Sequence, residues 1–144
     1  MSEFTIREAD VRDSSAIAHL LVQLGYPTTS AQMAGRIKPL LSRPEYQMYV
    51  AVGREGRVVG MVGAYLGHAL EFDGPYGRVN GLAVDEGSRR HGIGRHLMEH
   101  IENWLRTQGA VMLVLTSGQH RVEAHKFYRA IGYEQTGVRF VKRL

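Results

Sequence analysis

Alternation of apolar and polar residues predicts a series of strands in the first two thirds of the chain. Residues 4–10 (FTIREAD) alternate, and from Tyr46 the apolar residues again recur every second position. The turn GREG (53–56) joins a strand that begins at Tyr46 to a second strand over 57–70. These two strands are therefore predicted to form a hairpin. A further turn over 71–77 leads into another strand over 78–84.

Two helices are predicted between the first strand and the hairpin, because apolar residues there recur every three or four positions. Asp13 is a candidate N-cap for the first helix, and Gly25 is a candidate stop. Thr29 or Ser30 can cap the second helix. Pro39 lies inside the second pattern, so we expect a break or a kink there. The apolar positions are Ile17, Leu20, Leu21 and Leu24 in the first helix, and Met33, Ile37, Leu40 and Leu41 in the second.

The remaining third of the chain alternates between helix and strand. A strongly amphipathic helix is predicted over 95–108, ending at Gly109, and AVMLVLT (110–116) predicts a strand covered on both faces. A last helix is predicted from about Val122 to Ile131, with Gly132 as its stop, and the tail 133–143 predicts a strand. The order β-α-α-β-β-β-α-β-α-β indicates an α/β fold, a mixed sheet flanked by helices, in a single domain over 1–144.

Composition excludes several kinds of chemistry. The 144 residues include no cysteine, which removes disulfides, thiolate nucleophiles and Cys-ligated zinc. Among the seven histidines, His96 and His100 share a helical i, i+4 spacing, but the H-E-x-x-H pattern of zinc enzymes is missing. We therefore expect no metal site.

The formal net charge of +4 is dispersed along the chain. Neither an RNA-binding motif with interleaved aromatics nor a helix-turn-helix pattern stands out, so we expect no nucleic-acid partner. We expect no membrane partner either, since no apolar run approaches the roughly 20 residues of a spanning helix. The acidic N-terminal residues do not resemble a signal peptide, which favours a cytoplasmic location.

A basic, glycine-bearing turn, RRHGIGRHL (89–97), lies between the strand over 78–84 and the amphipathic helix. A strand-to-helix turn gathers free backbone N–H groups at the positive end of a helix, an arrangement that binds phosphate. Gly92 and Gly94 would let the backbone approach a ligand closely. The turn lacks the Walker A lysine and the third glycine of the dinucleotide fingerprint. A surface turn without a ligand is the other interpretation.

Three segments of this chain resemble the GNAT superfamily of acyl-CoA-dependent N-acyltransferases. They are LAV (82–84) followed by the R-x-x-G-x-G of Arg89, Gly92 and Gly94; AHKFYRAIGYE (124–134); and IREADVRDSSAIAHLL (6–21). The resemblance covers nearly the whole chain, and the element order derived above agrees with the family fold. It implies an N-acetyltransferase that uses acetyl-CoA and releases coenzyme A.

The resemblance also implies where the cofactor binds. Backbone groups of the strand would pair with the pantetheine arm, and the turn would hold the pyrophosphate. The plain alternative for Leu82 and Val84 is a core strand. The implied cofactor-binding residues are Leu82, Ala83, Val84, Arg89, Arg90, His91, Gly92, Ile93, Gly94 and Arg95, with Arg121 as a further candidate. Relatives often have asparagine where this chain has Arg121, so Arg121 would meet either the arm or a phosphate.

Tyr128 matches the tyrosine that the family places near the thioester sulfur as a general acid. The alternative is a packed aromatic beside the apolar helix positions Phe127 and Ile131. No general base is evident, because the glutamate that many relatives carry before LAV is missing from the stretch 78–81. His68, Glu71, Asp73, His120 and a water chain all remain open as the base.

The acceptor is expected to be an amine, either a small mono-amine, an amino-acid-like molecule, or a protein N-terminus or lysine. Residues 22–46 contain one acid, Glu45, against Arg36, Lys38 and Arg43, which disfavours a polycationic acceptor. The main alternative is a catalytically silent acyl-CoA-binding regulator with the same fold. A basic nucleic-acid-binding domain is a third interpretation, which the dispersed charge disfavours. The resemblance also makes a homodimer possible.

Overall fold

The computed structural model describes residues 3–144, which form two compact units. The first unit ends at Val114 and carries the sheet, and the second is Leu115–Leu144. Strands in chain order are β1 (Thr5–Glu8), β2 (Tyr46–Val52), β3 (Val58–His68), β4 (Pro75–Val84) and β5 (Leu113–Val114). The helices are α1 (Ser14–Gln23), α2 (Ser30–Leu41), α3 (Ile93–Thr107) and α4 (Val122–Ala130).

One mixed sheet organises the first unit, with the strand order β1-β2-β3-β4-β5. The first four strands pair antiparallel, and β5 pairs parallel to β4. The connection from β4 to β5 contains α3, because parallel neighbouring strands need a long crossover connection. The α/β fold class predicted from the sequence is confirmed.

Alternating strand residues face two different layers of helix. Tyr46, Met48 and Val50 of β2 pack in one core cluster with Ile17 of α1 and Ile37 of α2. On the opposite face, a Cβ added at Gly60 would meet Ile93 and Leu97 of α3 at 3.0 and 3.1 Å. The amphipathic stripe of α3 is buried at Ile93, Leu97, Met98, Ile101 and Leu105. The sheet is therefore covered by α1 and α2 on one face and by α3 on the other.

The helix ends follow local sequence signals, with two corrections. Thr29 caps α2 with a capping box to Gln32, as its position predicts. Asp13 precedes α1 but makes no cap bond to it, because its carboxylate accepts two bonds from Arg7, both 2.9 Å, and one from the Asp10 N–H. The expected break at Pro39 is wrong: α2 continues to Leu41. Pro39 lies in the last turn, where the missing N–H removes only one helical bond.

Two strand predictions at the end of the chain also need correction. The strand expected over 110–116 is only Leu113–Val114, and Val111 and Met112 are exposed rather than covered on both faces. Val111 and Met112 do bond to the start of β4, through Pro75 and Gly77, but outside a regular ladder. The strand expected over 133–143 is not formed in the described chain, where Val138 is 74% and Phe140 91% exposed. An alternating pattern becomes a strand only where a neighbour accepts its hydrogen bonds and covers one face.

Candidate functional site

The outer edge of β4 is open over most of its length. β5 pairs with β4 only at Gly77 and Arg78, and within residues 3–144 no strand pairs with that edge over 79–84. The Asp85 N–H donates to the carbonyl of Val59 in β3 at 2.8 Å. Because backbone groups alternate in direction along a strand, Val84 and Leu82 direct their N–H and C=O groups to the open edge, and Ala83 directs its own to β3. An extended chain segment of a ligand can pair there.

The turn after β4 delivers the chain into the N-terminus of α3. Gly92 is the N-cap residue and has φ +81°, a left-handed conformation that glycine adopts without strain. The first helical bond runs from the His96 N–H to the Gly92 carbonyl at 3.0 Å. The N–H groups of Ile93, Gly94 and Arg95 precede that bond and have no partner within the helix. They lie at the positive end of the helix dipole, where an anion is stabilised.

Four basic residues lie in this turn and in the first turn of α3. Arg89, Arg90, His91 and Arg95 are all exposed. Arg90 has φ +70°, an unusual conformation for a residue with a Cβ, and such strain concentrates at functional sites. The Arg89 Nε donates to the Val84 carbonyl on the open edge at 3.2 Å, so it links the turn to β4. The residues predicted to bind the cofactor between Leu82 and Arg95 are thus brought together at one end of β4.

A buried carboxylate, Asp85, holds the turn in place. Asp85 is 5% exposed and accepts from Gln23 at 2.8 Å and from Arg57 at 2.9 Å. Gln23 in turn accepts from the Glu86 N–H at 3.0 Å. The hydrogen bond from Gln23, together with the charge of Arg57 and the Gly87 N–H, lowers the pKa of Asp85 despite its burial. Asp85 is therefore ionised at neutral pH and ties the end of α1 and the start of β3 to the turn.

Asp85 and its partners are not among the site residues predicted from the sequence. One signal in the sequence could have indicated Asp85, namely an acidic residue directly after a strand and before a basic turn. If such a residue is buried, its charge needs partners. Gln23 and Arg57 are 62 and 28 residues away in sequence, so no local pattern pairs them with Asp85.

Tyr128 and Arg121 belong to the second unit. Arg121 is the N-cap residue of α4, and Tyr128 lies on α4 with its ring against those of Phe127 and Tyr133, at centroid distances of 5.3 and 6.0 Å. Burial raises the pKa of Tyr128, and the charge of Arg121 lowers it to a smaller extent. The phenol therefore carries its proton throughout the neutral range.

The candidate bases lie in different parts of the chain. His68 ends β3, Glu71 and Asp73 are exposed in the turn before β4, and His120 is exposed in the second unit. In the part of the chain that the structure describes, no three His, Asp or Glu side chains are grouped to hold a metal ion. Nor is any helix over the same residues long and apolar enough to cross a bilayer.

The sequence of this chain matches known acetyltransferases. The sequence model of the "Acetyltransferase (GNAT) family" matches residues 14–133. The chain is 29% identical over 135 residues to an aminoglycoside N(6')-acetyltransferase type 1 from Stenotrophomonas maltophilia, covering 92% of this chain and 87% of the relative. It is 34% identical over 91 residues to an aminoalkylphosphonate N-acetyltransferase from Salmonella typhimurium, covering 63% of this chain and 59% of the relative.

The fold also matches solved structures. The aminoglycoside N-acetyltransferase AAC(6')-Iy, solved in complex with CoA, superposes with a TM-score of 0.86 at 18% identity, over 100% of this chain and 96% of its own. The glucosamine-6-phosphate N-acetyltransferase from Arabidopsis thaliana superposes with a TM-score of 0.85 at 20% identity, over 98% of each chain. At this identity the likeness establishes a shared fold.

Proposed function

The chain belongs to the acetyltransferase (GNAT) family, and from this premise we propose that it transfers an acetyl group from acetyl-CoA to a primary amine by direct attack. The observation that carries the proposal is the open edge of β4 ending in the turn that begins α3. An extended ligand arm fits the edge, and a phosphate fits the helix N-terminus. One ligand that joins both chemistries is an acyl-CoA, with its pantetheine arm along Leu82 and Val84 and its pyrophosphate at Gly92–Arg95.

The proposed reaction is a single displacement. The amine nitrogen forms a bond to the thioester carbonyl carbon, and the carbon–sulfur bond breaks with its electron pair going to sulfur. The amine loses one proton and the departing thiolate gains one, so the products are an amide and the free thiol of coenzyme A. An alkyl ammonium with a pKa of about 10 is only about one part in a thousand neutral at pH 7, so one proton must leave before attack.

Tyr128 is proposed as the general acid that protonates the thiolate. Its match to the family tyrosine supports this role, and its raised pKa keeps the phenol protonated until the thiolate forms. The base is left to water or to one of the four candidates His68, Glu71, Asp73 and His120.

A catalytically silent acyl-CoA-binding regulator is the competing function, since it would retain the same turn and the chain carries no evident base. Titration with acetyl-CoA followed by a thiol-release assay on a panel of amines separates the two. The proposal predicts both binding and thiol release with at least one amine. Binding without release on every amine would favour the regulator, and no binding at all would refute both.

A further inference from the structure

A row of polar and aromatic residues crosses the sheet on the face that α1 and α2 cover. Tyr46 of β2 pairs directly with Tyr65 of β3, which pairs directly with Arg78 of β4. Tyr46 and Tyr65 both pack with the core cluster of α1 and α2. Gly77 lies on the other face, since a Cβ there would collide with Leu105 of α3. Alternation along β4 therefore puts Arg78 on the face of Tyr46 and Tyr65.

Arg78 is half-buried, and its charge is not neutralised by any group within residues 3–144. Within residues 3–144 its guanidinium forms no ion pair and no hydrogen bond. Arg78 differs in this respect from Arg7 and Arg57, which form ion pairs with the buried carboxylates of Asp13 and Asp85. A cation that is partly removed from water without a carboxylate is costly unless an anion joins it. The site is therefore matched to an anionic ligand.

A second polar group lies two residues along the same strand. The register between β3 and β4 shifts at Gly63 and Ala64, so Asn80 is the extra residue of a β-bulge. Tyr46, which is 6% exposed, donates its hydroxyl to the Asn80 Oδ1 at 3.2 Å. A Cβ at Gly63 would collide with the Tyr46 hydroxyl and would come within 2.7 Å of the Asn80 oxygen, so this pair occupies the space above Gly63. Bulges of this kind redirect side chains next to binding sites.

The Asn80 and Tyr46 pair suits an amine. Each oxygen has a lone pair left after their mutual bond, and Asn80 itself is exposed. A rise of about 3.3 Å per residue puts Asn80 about 7 Å from Arg78 along the strand. An amine at Asn80 and an anionic group at Arg78 would thus be joined by a short linker.

Arg78 is too far from the cofactor turn to serve it. Arg78 and Val84 lie opposite Tyr65 and Gly60, which are five residues apart on β3, so about 17 Å of strand separates them. Asn80 lies between them, beside the open edge of β4. From the C-terminal end of β4 backwards, the order is therefore the cofactor turn, the open edge, Asn80 and then Arg78.

We propose that Arg78 binds an oxyanion carried by the acceptor, and that the Asn80–Tyr46 pair binds its amine. This inference rests on the proposed function and specifies its substrate class: a small primary amine that bears a carboxylate, phosphonate or phosphate on a short linker. Arg78 is a specificity residue for this class, and its guanidinium can hold an oxyanion through two parallel hydrogen bonds.

The test compares acceptors of similar size in the thiol-release assay. The panel contains 2-aminoethylphosphonate, β-alanine, O-phosphoethanolamine, the neutral 3-amino-1-propanol and the polycation spermidine. At least one anionic amine is expected to have a kcat/KM about tenfold or more above that of the neutral amine. The ranking of the three anionic amines distinguishes phosphonate, carboxylate and phosphate.

The variants Arg78→Gln and Arg78→Lys show whether the preference for anionic amines depends on Arg78. Arg54→Gln, in the turn after β2, is the control for the loss of one positive charge. Arg78→Gln is expected to raise KM for the anionic amine about 10- to 100-fold, leave kcat nearly unchanged, and leave the neutral amine within about threefold. Arg78→Lys should restore part of the affinity, and Arg54→Gln should change neither acceptor.

The outcomes separate this inference from the proposed function. If Arg78→Gln lowers activity on neutral and anionic amines equally, or if the neutral amine or spermidine is the better acceptor, the anion site is refuted while acetyl transfer stands. If acetyl-CoA binds but no thiol is released with any amine, it is the proposed function that fails. Circular dichroism and the acetyl-CoA Kd of each variant show whether it has folded.

Discussion

At the scale of single residues, Gly92 combines a conformational requirement with a predicted binding role. Its φ of +81° strains any residue with a Cβ, whereas the space itself is available, because that Cβ would meet only the His96 ring at 3.5 Å. We therefore expect Gly92→Val to fold, to lose about 1–2 kcal/mol of unfolding free energy, and to bind acetyl-CoA at least about tenfold more weakly. Titration calorimetry and chemical denaturation measure the two effects.

Gly56 provides a matched control for Gly92. It has φ +73° in the turn between β2 and β3, and no atom of residues 3–144 lies within 4 Å of an added Cβ. Gly56→Val should therefore lose a similar free energy of unfolding and keep the wild-type Kd for acetyl-CoA. Equal affinities of the two variants would contradict a role for Gly92 in holding the pyrophosphate.

Tyr128 is the second residue on which the chemistry depends. Removing its hydroxyl in Tyr128→Phe keeps the ring contacts and deletes the proton donor, so kcat should fall about 100-fold with a far smaller change in the KM for acetyl-CoA. Tyr133→Phe, which alters the neighbouring ring in the same way, should retain most of the turnover. Unchanged turnover in Tyr128→Phe would leave Tyr128 as a packed aromatic only.

At the scale of elements, Asp85 couples α1 and β3 to the cofactor turn. Asp85→Ala leaves Gln23 and Arg57 without their shared acceptor, and we expect a loss of about 1–3 kcal/mol in unfolding free energy and a weaker acetyl-CoA Kd. Arg57→Ala should cost less on both measures, because the Arg57 side chain is 65% exposed and Gln23 still holds the carboxylate.

The exposed pair Arg43–Glu45, at 3.7 Å, is the control for this network. Glu45→Ala removes a carboxylate of a surface ion pair and should leave both the stability and the Kd nearly unchanged. If Asp85→Ala binds acetyl-CoA as tightly as Glu45→Ala does, the turn holds its conformation without Asp85.

The helices and strands that could be predicted are those whose local sequence pattern is sufficient to determine them. The stripe Leu97, Met98, Ile101 and Leu105 defines α3, and the alternation from Tyr46 defines β2, within one or two residues of the observed bounds. The strand over 133–143 was predicted by pattern alone and is not formed in the described chain, because Val138 and Phe140 have no covering partner. Strand formation depends on neighbours that a local pattern does not contain.

In the candidate site too, local features could be predicted from the sequence and long-range contacts could not. The turn from Arg89 to Arg95 is continuous in sequence, so its glycines and its position before a helix could be predicted from the sequence. The partners of Asp85, the Tyr46–Asn80 bond and the register that aligns Tyr65 with Arg78 join residues far apart in sequence. These contacts depend on strand register, which one bulge at Gly63 and Ala64 shifts.

At the scale of the whole molecule, two buried carboxylates make stability depend on pH. Burial alone would raise the pKa of Asp13, but hydrogen bonds from Arg7 and the Asp10 N–H outweigh it and lower the pKa, and the pKa of Asp85 is also lowered. The stabilisation is therefore complete above about pH 5, where the unfolded carboxyls are ionised, and is lost as the pH falls through the folded pKa values.

Denaturation between pH 7 and pH 2.5 tests this dependence. The wild type should lose stability progressively below about pH 4, and the double variant Asp13→Asn with Asp85→Asn should be less stable at pH 7 and show a flatter decline. A double variant with the same acid slope as the wild type would assign the loss to other carboxyls.

Acetyl transfer to an amine is tested most directly by the release of thiol from acetyl-CoA. With a suitable amine, the wild type should release coenzyme A thiol and form N-acetyl product in equal amounts, and Gly92→Val should show the same stoichiometry with a KM for acetyl-CoA at least about tenfold higher. Acetyl-CoA bound by the wild type with no thiol released on any amine would contradict this activity.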